Sequence, residues 1–257
     1  MSIKTSNLSF KYDKKADNLT LDSINLDIQE GTINVLLGLN GCGKTTLIKL
    51  LAGLEKPMDG IIEYDGTDLK TIKIKQRARI FSYVPQYSNV TSEVPVYQYL
   101  SYGTTNTLAF YEHPGKEEMQ LVEKIATKLH IEHLLYKNLG ELSGGELQIV
   151  LIACSLIQNT PVMLLDEPTS ALDLKNQNFV LSLLKRIAKE ENKTIVLSTH
   201  NPNHALFLDA NVILMDKGLI CDAGPASKLI NKEKLVSIYG EHVCSSNDLD
   251  YEEIAFK

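Results

Sequence analysis

The chain has 257 residues, of which 44% are hydrophobic and 23% are charged, and its 26 basic and 32 acidic side chains give a formal net charge of −6. Without a basic surplus, the composition argues against nucleic acid as the main partner. No run of about 18 apolar residues occurs, and residues 1–6 lack the apolar core of a signal peptide, so we do not expect the chain itself to cross a membrane.

The first third of the sequence alternates short β-prone runs with one helical pattern. Leu47, Leu50 and Leu51 lie at helical spacing and predict a helix over residues 45–52. Further along, the basic side chains of residues 70–79 are typical of the solvated face of a connector. We predict β-strands at residues 3–12, 21–28, 32–37, 60–64 and 80–84.

Strand signals stop between residues 87 and 157. Leu121, Ile125 and Leu129 recur at helical spacing within residues 117–129, and a second helix is predicted over residues 146–157. We therefore predict a helical insert over residues 87–157.

Strand signals return in the last third, at residues 162–165, 194–198 and 212–215, with a helix predicted over residues 174–191. Alternating strands and helices predict an α/β domain whose parallel sheet is covered on both faces. Residues 1–86 and 158–243 would form the core of this single domain, which spans residues 1–257. Residues 244–257 are polar and acidic enough to be partly disordered.

Residues 38–46 read GLNGCGKTT and match the phosphate-loop template Gly-x4-Gly-Lys-Ser/Thr. Between a strand and a helix, such a loop surrounds an anion with backbone N–H groups and the positive end of the helix dipole. Lys44 would then reach the β- and γ-phosphates, and the Thr45 hydroxyl would bind Mg²⁺. The other predicted nucleotide-binding positions of this loop are Gly38, Asn40, Gly41, Cys42, Gly43 and Thr46.

Asp166 and Glu167 follow the apolar run of residues 162–165, as expected at the carboxyl end of a buried parallel strand. Asp166 can hold Mg²⁺ through water, and Glu167 can polarise the water that attacks the γ-phosphate. Two adjacent acids at a strand end can also simply begin a solvated loop. The phosphate loop upstream favours the catalytic interpretation.

Cys42 is unusual among the four cysteines, which otherwise show neither paired nor metal-ligand spacing and fit reduced thiols. It lies inside the phosphate loop, near a helix N-terminus and Lys44, and both features are expected to lower the pKa of its thiol. We hypothesise that alkylation of Cys42 blocks nucleotide binding. The alternative is that the position tolerates a small side chain.

Residues 142–148 read LSGGELQ and place a second glycine pair between the phosphate loop and Asp166. With this signature, the chain resembles the ATP-binding subunits of ABC transporters over about residues 3–243. The resemblance implies an α/β P-loop NTPase fold with a mixed, mainly parallel sheet, an N-terminal antiparallel β subdomain and a helical insert carrying the signature. It also implies that Ser143, Gly144 and Gly145 bind the γ-phosphate held by a second copy of the chain, so that two copies sandwich ATP.

Four further residues are assigned by the same resemblance. Tyr12 is similar to the aromatic residue that stacks on adenine, and Gln86 to the glutamine that contacts Mg²⁺ and the attacking water. Asp173 resembles the acid that crosses the dimer interface, and His200 resembles the switch histidine. Taken alone, Tyr12 could be an exposed strand aromatic and His200 a structural histidine. We assign His204 a structural role.

The runs at residues 173–177, 200–205 and 239–243 are similar to ATPases of bacterial importers for metal chelates, which include iron-siderophore, haem, cobalamin and related oxyanion systems. This resemblance implies a multi-span membrane permease, an extracytoplasmic substrate-binding protein and a peripheral location on the cytoplasmic face of the membrane. The alternatives are the ATPase of an ABC exporter and a soluble ABC ATPase that acts on ribosomes or DNA. Ile149 and Cys154 depart from the family, because many members carry arginine there.

Overall fold

A computed structural model describes residues 2–13, 18–86, 92–106 and 115–239, and the predicted acidic tail, residues 244–257, lies outside the described residues. The strands are β1 (Ser2–Phe10), β2 (Leu21–Gln29), β3 (Ile33–Leu37), β4 (Asp59–Tyr64), β5 (Thr67–Asp68), β6 (Phe81–Val84), β7 (Val162–Leu165), β8 (Thr194–Thr199), β9 (Asn211–Asp216) and β10 (Leu219–Pro225). The helices are α1 (Lys44–Leu51), α2 (Ile74–Arg77), α3 (Val96–Tyr102), α4 (Lys116–Leu129), α5 (Gly144–Gln158), α6 (Leu174–Glu191), α7 (Pro202–Leu208), α8 (Ala226–Leu229) and α9 (Lys232–Tyr239).

The described strands form two sheets. The smaller sheet has the order β2-β1-β4-β5 and is antiparallel throughout. The larger has the order β10-β9-β3-β8-β7-β6 and is parallel except for β10, which runs antiparallel to β9. This architecture confirms the predicted α/β fold with an antiparallel β unit and a mixed, mainly parallel sheet.

The central strands of the larger sheet are buried on both faces, which explains their continuous apolar runs. In the parallel register, Leu165 of β7 lies beside Leu197 of β8, and Leu37 of β3 lies beside Thr199. The carboxyl ends of β3, β7 and β8 therefore meet at one edge of the sheet, where ligands bind in open α/β folds.

Helix α5 is apolar around most of its circumference because it is buried among other elements rather than at the surface. Its residues share an apolar core with α3, α4 and α6. The buried hydroxyl of Ser155 donates to Ser82 Oγ at 2.7 Å and ties α5 to β6. In the described part of the chain, no helix is long and apolar enough to span a membrane.

In the basic stretch of residues 70–79, four of the five basic side chains are exposed, as predicted for a solvated connector, and Arg77 is the half-buried exception. The stretch contains the short helix α2, and Arg77 turns back toward the end of α1. Its guanidinium donates to the carbonyl oxygens of Ile72 (2.9 Å) and Gly53 (3.0 Å). A guanidinium with several donors can satisfy carbonyls left open at a helix end, which a charge count along the sequence does not reveal.

Candidate active site

Two glycines shape the loop between β3 and α1. Gly43 has a φ of 106°, in the left-handed region that favours glycine. A Cβ at Gly38 would lie 2.2 Å from the carbonyl oxygen of Met215, so no side chain fits there. Lys44 begins α1 and is buried, and its Nζ donates to the carbonyl oxygens of Gly38 (2.8 Å) and Leu39 (3.1 Å). The loop thus folds around its own lysine.

An open cavity of about 390 Å³ lies over this loop. The cavity is lined by Tyr12, Thr20, Asn40, Gly41, Gly43, Lys44, Thr45, Thr46, Gln86 and Glu167. Tyr12 is 58% exposed, packs edge-on against Phe10, and its hydroxyl lies 3.3 Å from Thr46 Oγ1. The phosphate-loop residues, the predicted adenine-stacking tyrosine and two predicted catalytic residues therefore share one concave site.

Glu167 is contacted by side chains from three other parts of the chain. Lys44 Nζ lies 4.0 Å from Oε1. Gln86 Nε2 donates to Oε2 at 3.3 Å, and His200 Nδ1 lies 3.2 Å from the same oxygen. The carboxylate is buried, and the backbone of Glu167 has a left-handed φ of 43°. These contacts fix the position of one acid at the floor of the cavity.

Ser198 links the two adjacent acids and was not found from the sequence. Its hydroxyl donates to Asp166 Oδ1 at 2.7 Å and accepts a hydrogen bond from the Glu167 backbone N–H at 2.8 Å. All three residues are buried. The sequence signal for Ser198 was its position as a polar residue near the end of the apolar run of β8. This strand pairs with β7, which Asp166 follows.

His200 and His204 lie in different environments. The side chain of His200 is 58% exposed and contacts Glu167. His204 is buried, with Nδ1 3.0 Å from Thr199 Oγ1 and Nε2 3.3 Å from Asn201 Nδ2. Burial, reinforced by His200, lowers the pKa of His204 to about 4, so the ring is neutral near neutral pH. His204 therefore has the structural environment that we predicted for it.

The prediction that the pKa of the Cys42 thiol is lowered is wrong. Its side chain belongs to the apolar core rather than to the lining of the cavity, and it is 4% exposed. Burial raises the pKa of Cys42, and this outweighs the lowering effects of the Lys44 charge and of the backbone hydrogen bonds. Alkylation would first require the core to open.

The signature residues lie apart from this cavity. Ser143 caps α5, where its N–H and its hydroxyl each donate to Glu146 Oε2 at 2.8 Å, and Glu146 N–H donates back to Ser143 Oγ at 3.3 Å. These hydrogen bonds, together with Lys137, lower the pKa of Glu146. Ser143 and Gly144 are exposed, and Gly145 is half-buried near the Ala171 carbonyl oxygen.

Asp173 has a similar position at the start of α6. It is exposed, and its Oδ1 accepts the N–H of Asn176 at 2.8 Å as a helix cap. The structure therefore brings together Tyr12, the phosphate loop, Gln86, Glu167 and His200. It leaves Asp173 and the signature residues outside the described lining of the same cavity.

The ABC transporter family model matches residues 21–170, which is more than half of the chain. The chain belongs to the ABC transporter family. This confirms the resemblance that we inferred from the signature. Members of this family bind and hydrolyse ATP, and the chain is an ATPase of the ABC type.

Several relatives match this ABC ATPase over most of their length. An uncharacterised ABC transporter ATP-binding protein of Haemophilus influenzae is 36% identical, covering 93% of this chain and 89% of the relative. A probable iron chelatin transport ATP-binding protein of Helicobacter pylori is 34% identical, with 87% of each chain covered.

Solved structures agree with the fold. One of a metal-chelate type ABC transporter in an inward-facing conformation has a TM-score of 0.79 at 31% identity, covering 93% of this chain and 88% of the other. A dimeric ATP-binding cassette bound to ADP and phosphate has a TM-score of 0.80 at 26% identity, covering 87% of this chain and 98% of the other. Both similar structures therefore support the ABC ATPase fold.

Proposed function

We propose that the chain is the ATP-hydrolysing subunit of an importer for metal chelates, such as iron-siderophore, haem, cobalamin or related oxyanion complexes. The relative named for iron chelatin transport and the similar metal-chelate type transporter support this class of cargo. A multi-span permease in the membrane would be its partner, and a substrate-binding protein would deliver the cargo outside. The chain would bind this permease from the cytoplasmic face as a peripheral subunit.

Glu167 is the proposed general base for ATP hydrolysis. Its carboxylate would orient and polarise the attacking water, while Gln86 and His200 hold Oε2 from two sides. Hydrolysis of ATP spreads charge over the γ-phosphoryl oxygens, so most of the catalysis comes from positioning and from charge stabilisation. Lys44 supplies the positive charge at the phosphates, and the exposed ring of Tyr12 offers a stacking surface for adenine.

We expect three residues to hold a Mg²⁺ ion. Thr45, Gln86 and Asp166 all offer oxygen atoms, the ligands that this ion prefers. Among the described residues, no cluster of three or more His, Cys, Asp or Glu side chains could hold a metal by itself. A protein-bound Mg²⁺ usually keeps several waters and takes further ligands from phosphates. When bound, Mg²⁺ would neutralise charge on the β- and γ-phosphates.

The observation that carries the ATP-sandwich mechanism is the separation of the signature from the phosphate loop. Ser143 and Gly144 are exposed at the N-terminus of α5, where backbone N–H groups and the helix dipole favour an anion. Neither residue is among the described residues that line the cavity over the phosphate loop of the same chain. A second copy of the chain would place its signature on that ATP, and the dimeric relative supports this arrangement.

Light scattering of a Glu167→Gln variant, with and without Mg-ATP, tests this mechanism. We expect ATP binding to persist, turnover to fall by about 100-fold or more through loss of the general base, and the mass to double on addition of Mg-ATP. Glu190→Gln, an exposed position on α6, makes the same chemical change away from the site. Turnover near the wild-type rate would exclude Glu167 as the base. A monomeric mass with ATP bound would contradict the sandwich.

Uptake of a labelled iron-siderophore complex tests the import class. In a strain lacking this gene, we expect uptake to be restored by the wild-type chain and by Glu190→Gln, but not by Glu167→Gln. Normal uptake in the deletion strain would contradict import of that cargo. Neighbouring reading frames for a multi-span permease and a secreted binding protein would further favour import over export.

A further inference from the structure

Helix α9 brings a tyrosine hydroxyl to the peptide of His200. Tyr239 is the last residue of α9, and its OH donates to the carbonyl oxygen of His200 at 3.2 Å. The ring is half-buried and packs against the larger apolar core. Burial raises the pKa of Tyr239, and the nearby acidic groups of Cys42 and Glu167 raise it further. The phenol therefore stays protonated and remains a donor across the physiological pH range.

The segment that carries His200 is held from its other side by the end of β8. Thr199 Oγ1 accepts the N–H of Asn201 at 3.1 Å and lies 3.0 Å from the buried ring of His204. Between these anchors, the His200 side chain is more than half exposed and points to Glu167. The direction of this exposed side chain therefore depends on the position of its backbone as well as on the contact with Glu167.

An ion pair links helix α9 to the edge of the larger sheet. Lys234 Nζ pairs with Asp222 Oδ2 of β10 at 2.6 Å. The N-terminus of α9 is capped by Asn231, whose Oδ1 accepts the N–H of Lys234 at 3.0 Å. Helix α9, which is connected to β10, therefore places the Tyr239 hydroxyl beside His200, a residue 39 positions away in the sequence.

We propose that Tyr239 is a positioning residue for ATP hydrolysis, whose hydroxyl fixes the His200 peptide and so keeps His200 Nδ1 within 3.2 Å of Glu167 Oε2. The inference rests on the proposed function, in which Glu167 is the base. Small displacements of a catalytic group lower the rate strongly, because catalysis depends on a narrow range of geometries. The hydroxyl of Tyr239 donates to the His200 backbone, so we place its action on His200 and not on ATP.

Tyr239→Phe removes the hydroxyl and keeps the ring. We expect kcat for ATP hydrolysis by the full chain to fall by about threefold to tenfold, the range for loss of one hydrogen bond, with KM for ATP nearly unchanged. Tyr136→Phe is the matched control, because Tyr136 is 85% exposed and its ring packs only beside Tyr97 among the contacts described for it. All rates are measured well below the unfolding midpoint of each variant, so that stability does not enter kcat.

A double-mutant cycle separates positioning from simple packing. In a His200→Ala background, Tyr239→Phe should cause no further loss of single-turnover rate, since the group it positions is gone. The inference would be overturned if the two substitutions together lowered the single-turnover rate by the product of their separate effects. A kcat of Tyr239→Phe equal to that of the wild type would also overturn it. A His200→Ala variant with wild-type turnover would instead contradict the proposed role of His200, which distinguishes the two failures.

Discussion

The phosphate-loop half and the signature half of the ATP site are built in opposite ways. In the first, Lys44 and Glu167 are buried, and their polar groups contact one another or nearby carbonyls. In the second, Ser143 and Gly144 are exposed, and the first N–H groups of α5 have no partner within the helix. We call the first half, a buried polar network beneath the cavity, the closed half. We call the second, an exposed and capped helix end, the outward half. In the proposed sandwich mechanism, such an enzyme would bind ATP with one half and would need the second copy to complete the site.

The most damaging change should be Lys44→Ala, which removes the cation of the closed half. We expect the Kd for Mg-ATP to rise by about 100-fold or more, because hydrogen bonds between charged groups contribute about 1.5–3 kcal/mol each. Titration calorimetry measures this, with Lys49→Ala on the same helix as control. Wild-type affinity in Lys44→Ala would mean that the phosphates bind elsewhere, and the contrast between the halves would lose its basis.

Ser143→Arg should leave the closed half intact and disable the outward one. A guanidinium at the start of α5 opposes the helix dipole and fills the space of a phosphate, so we expect the ATP affinity of the monomer to change by less than about twofold while the dimer fails to form. Light scattering in the Glu167→Gln background measures the dimer. Tyr136→Arg adds the same side chain at another exposed position. An unaltered dimer would place the signature outside the interface.

The smallest expected effect concerns the charge at the cap of α5. The folded pKa of Glu146 is below its ordinary value of 4.5, so its carboxylate adds stability above that pH and loses it as the pH falls through the lowered folded value. Glu146→Gln keeps the hydrogen-bonding shape without the charge. We expect it to lower the free energy of unfolding by about 0.5 kcal/mol at pH 7, since solvent screens this site, and by nothing in strong acid.

Urea unfolding at several pH values measures the difference between wild type and Glu146→Gln. Glu117→Gln is the control, because Glu117 also lies in the first turn of a helix while Glu118 makes the capping hydrogen bond there. If both variants show the same pH dependence, the helix dipole explains the effect and the cap does not.

Much of the fold was predictable because the apolar residues of buried strands and helices recur in patterns that the sequence shows. The strand at residues 162–165 and the helix at residues 174–191 have the predicted bounds. Helix α5 begins at Gly144, two residues before its prediction, since a glycine pair has no apolar pattern to extend. Strand β10 was missed because it alternates exposed and half-buried residues at the sheet edge, without an apolar run.

The candidate site was predictable where a motif encodes the chemistry, and less so where burial or distant contacts decide. The phosphate loop and Glu167 came from spacing, and the structure places them around one cavity. The pKa of Cys42 was predicted in the wrong direction, because the sequence shows its charged neighbour but not its depth. The contacts of Ser198 and Tyr239 were missed, since each depends on segments joined only by the folded sheet.

The left-handed backbone of Glu167 has a consequence for how such an ATPase can be improved. A long side chain at a φ of 43° costs roughly 1–2 kcal/mol relative to a residue that adopts this conformation freely, such as glycine. Selection for heat tolerance alone would favour glycine at this position, which would relieve that strain and remove the carboxylate. With Glu167 as the proposed base, stability and turnover would compete at residue 167, and we expect stabilising substitutions elsewhere in the chain.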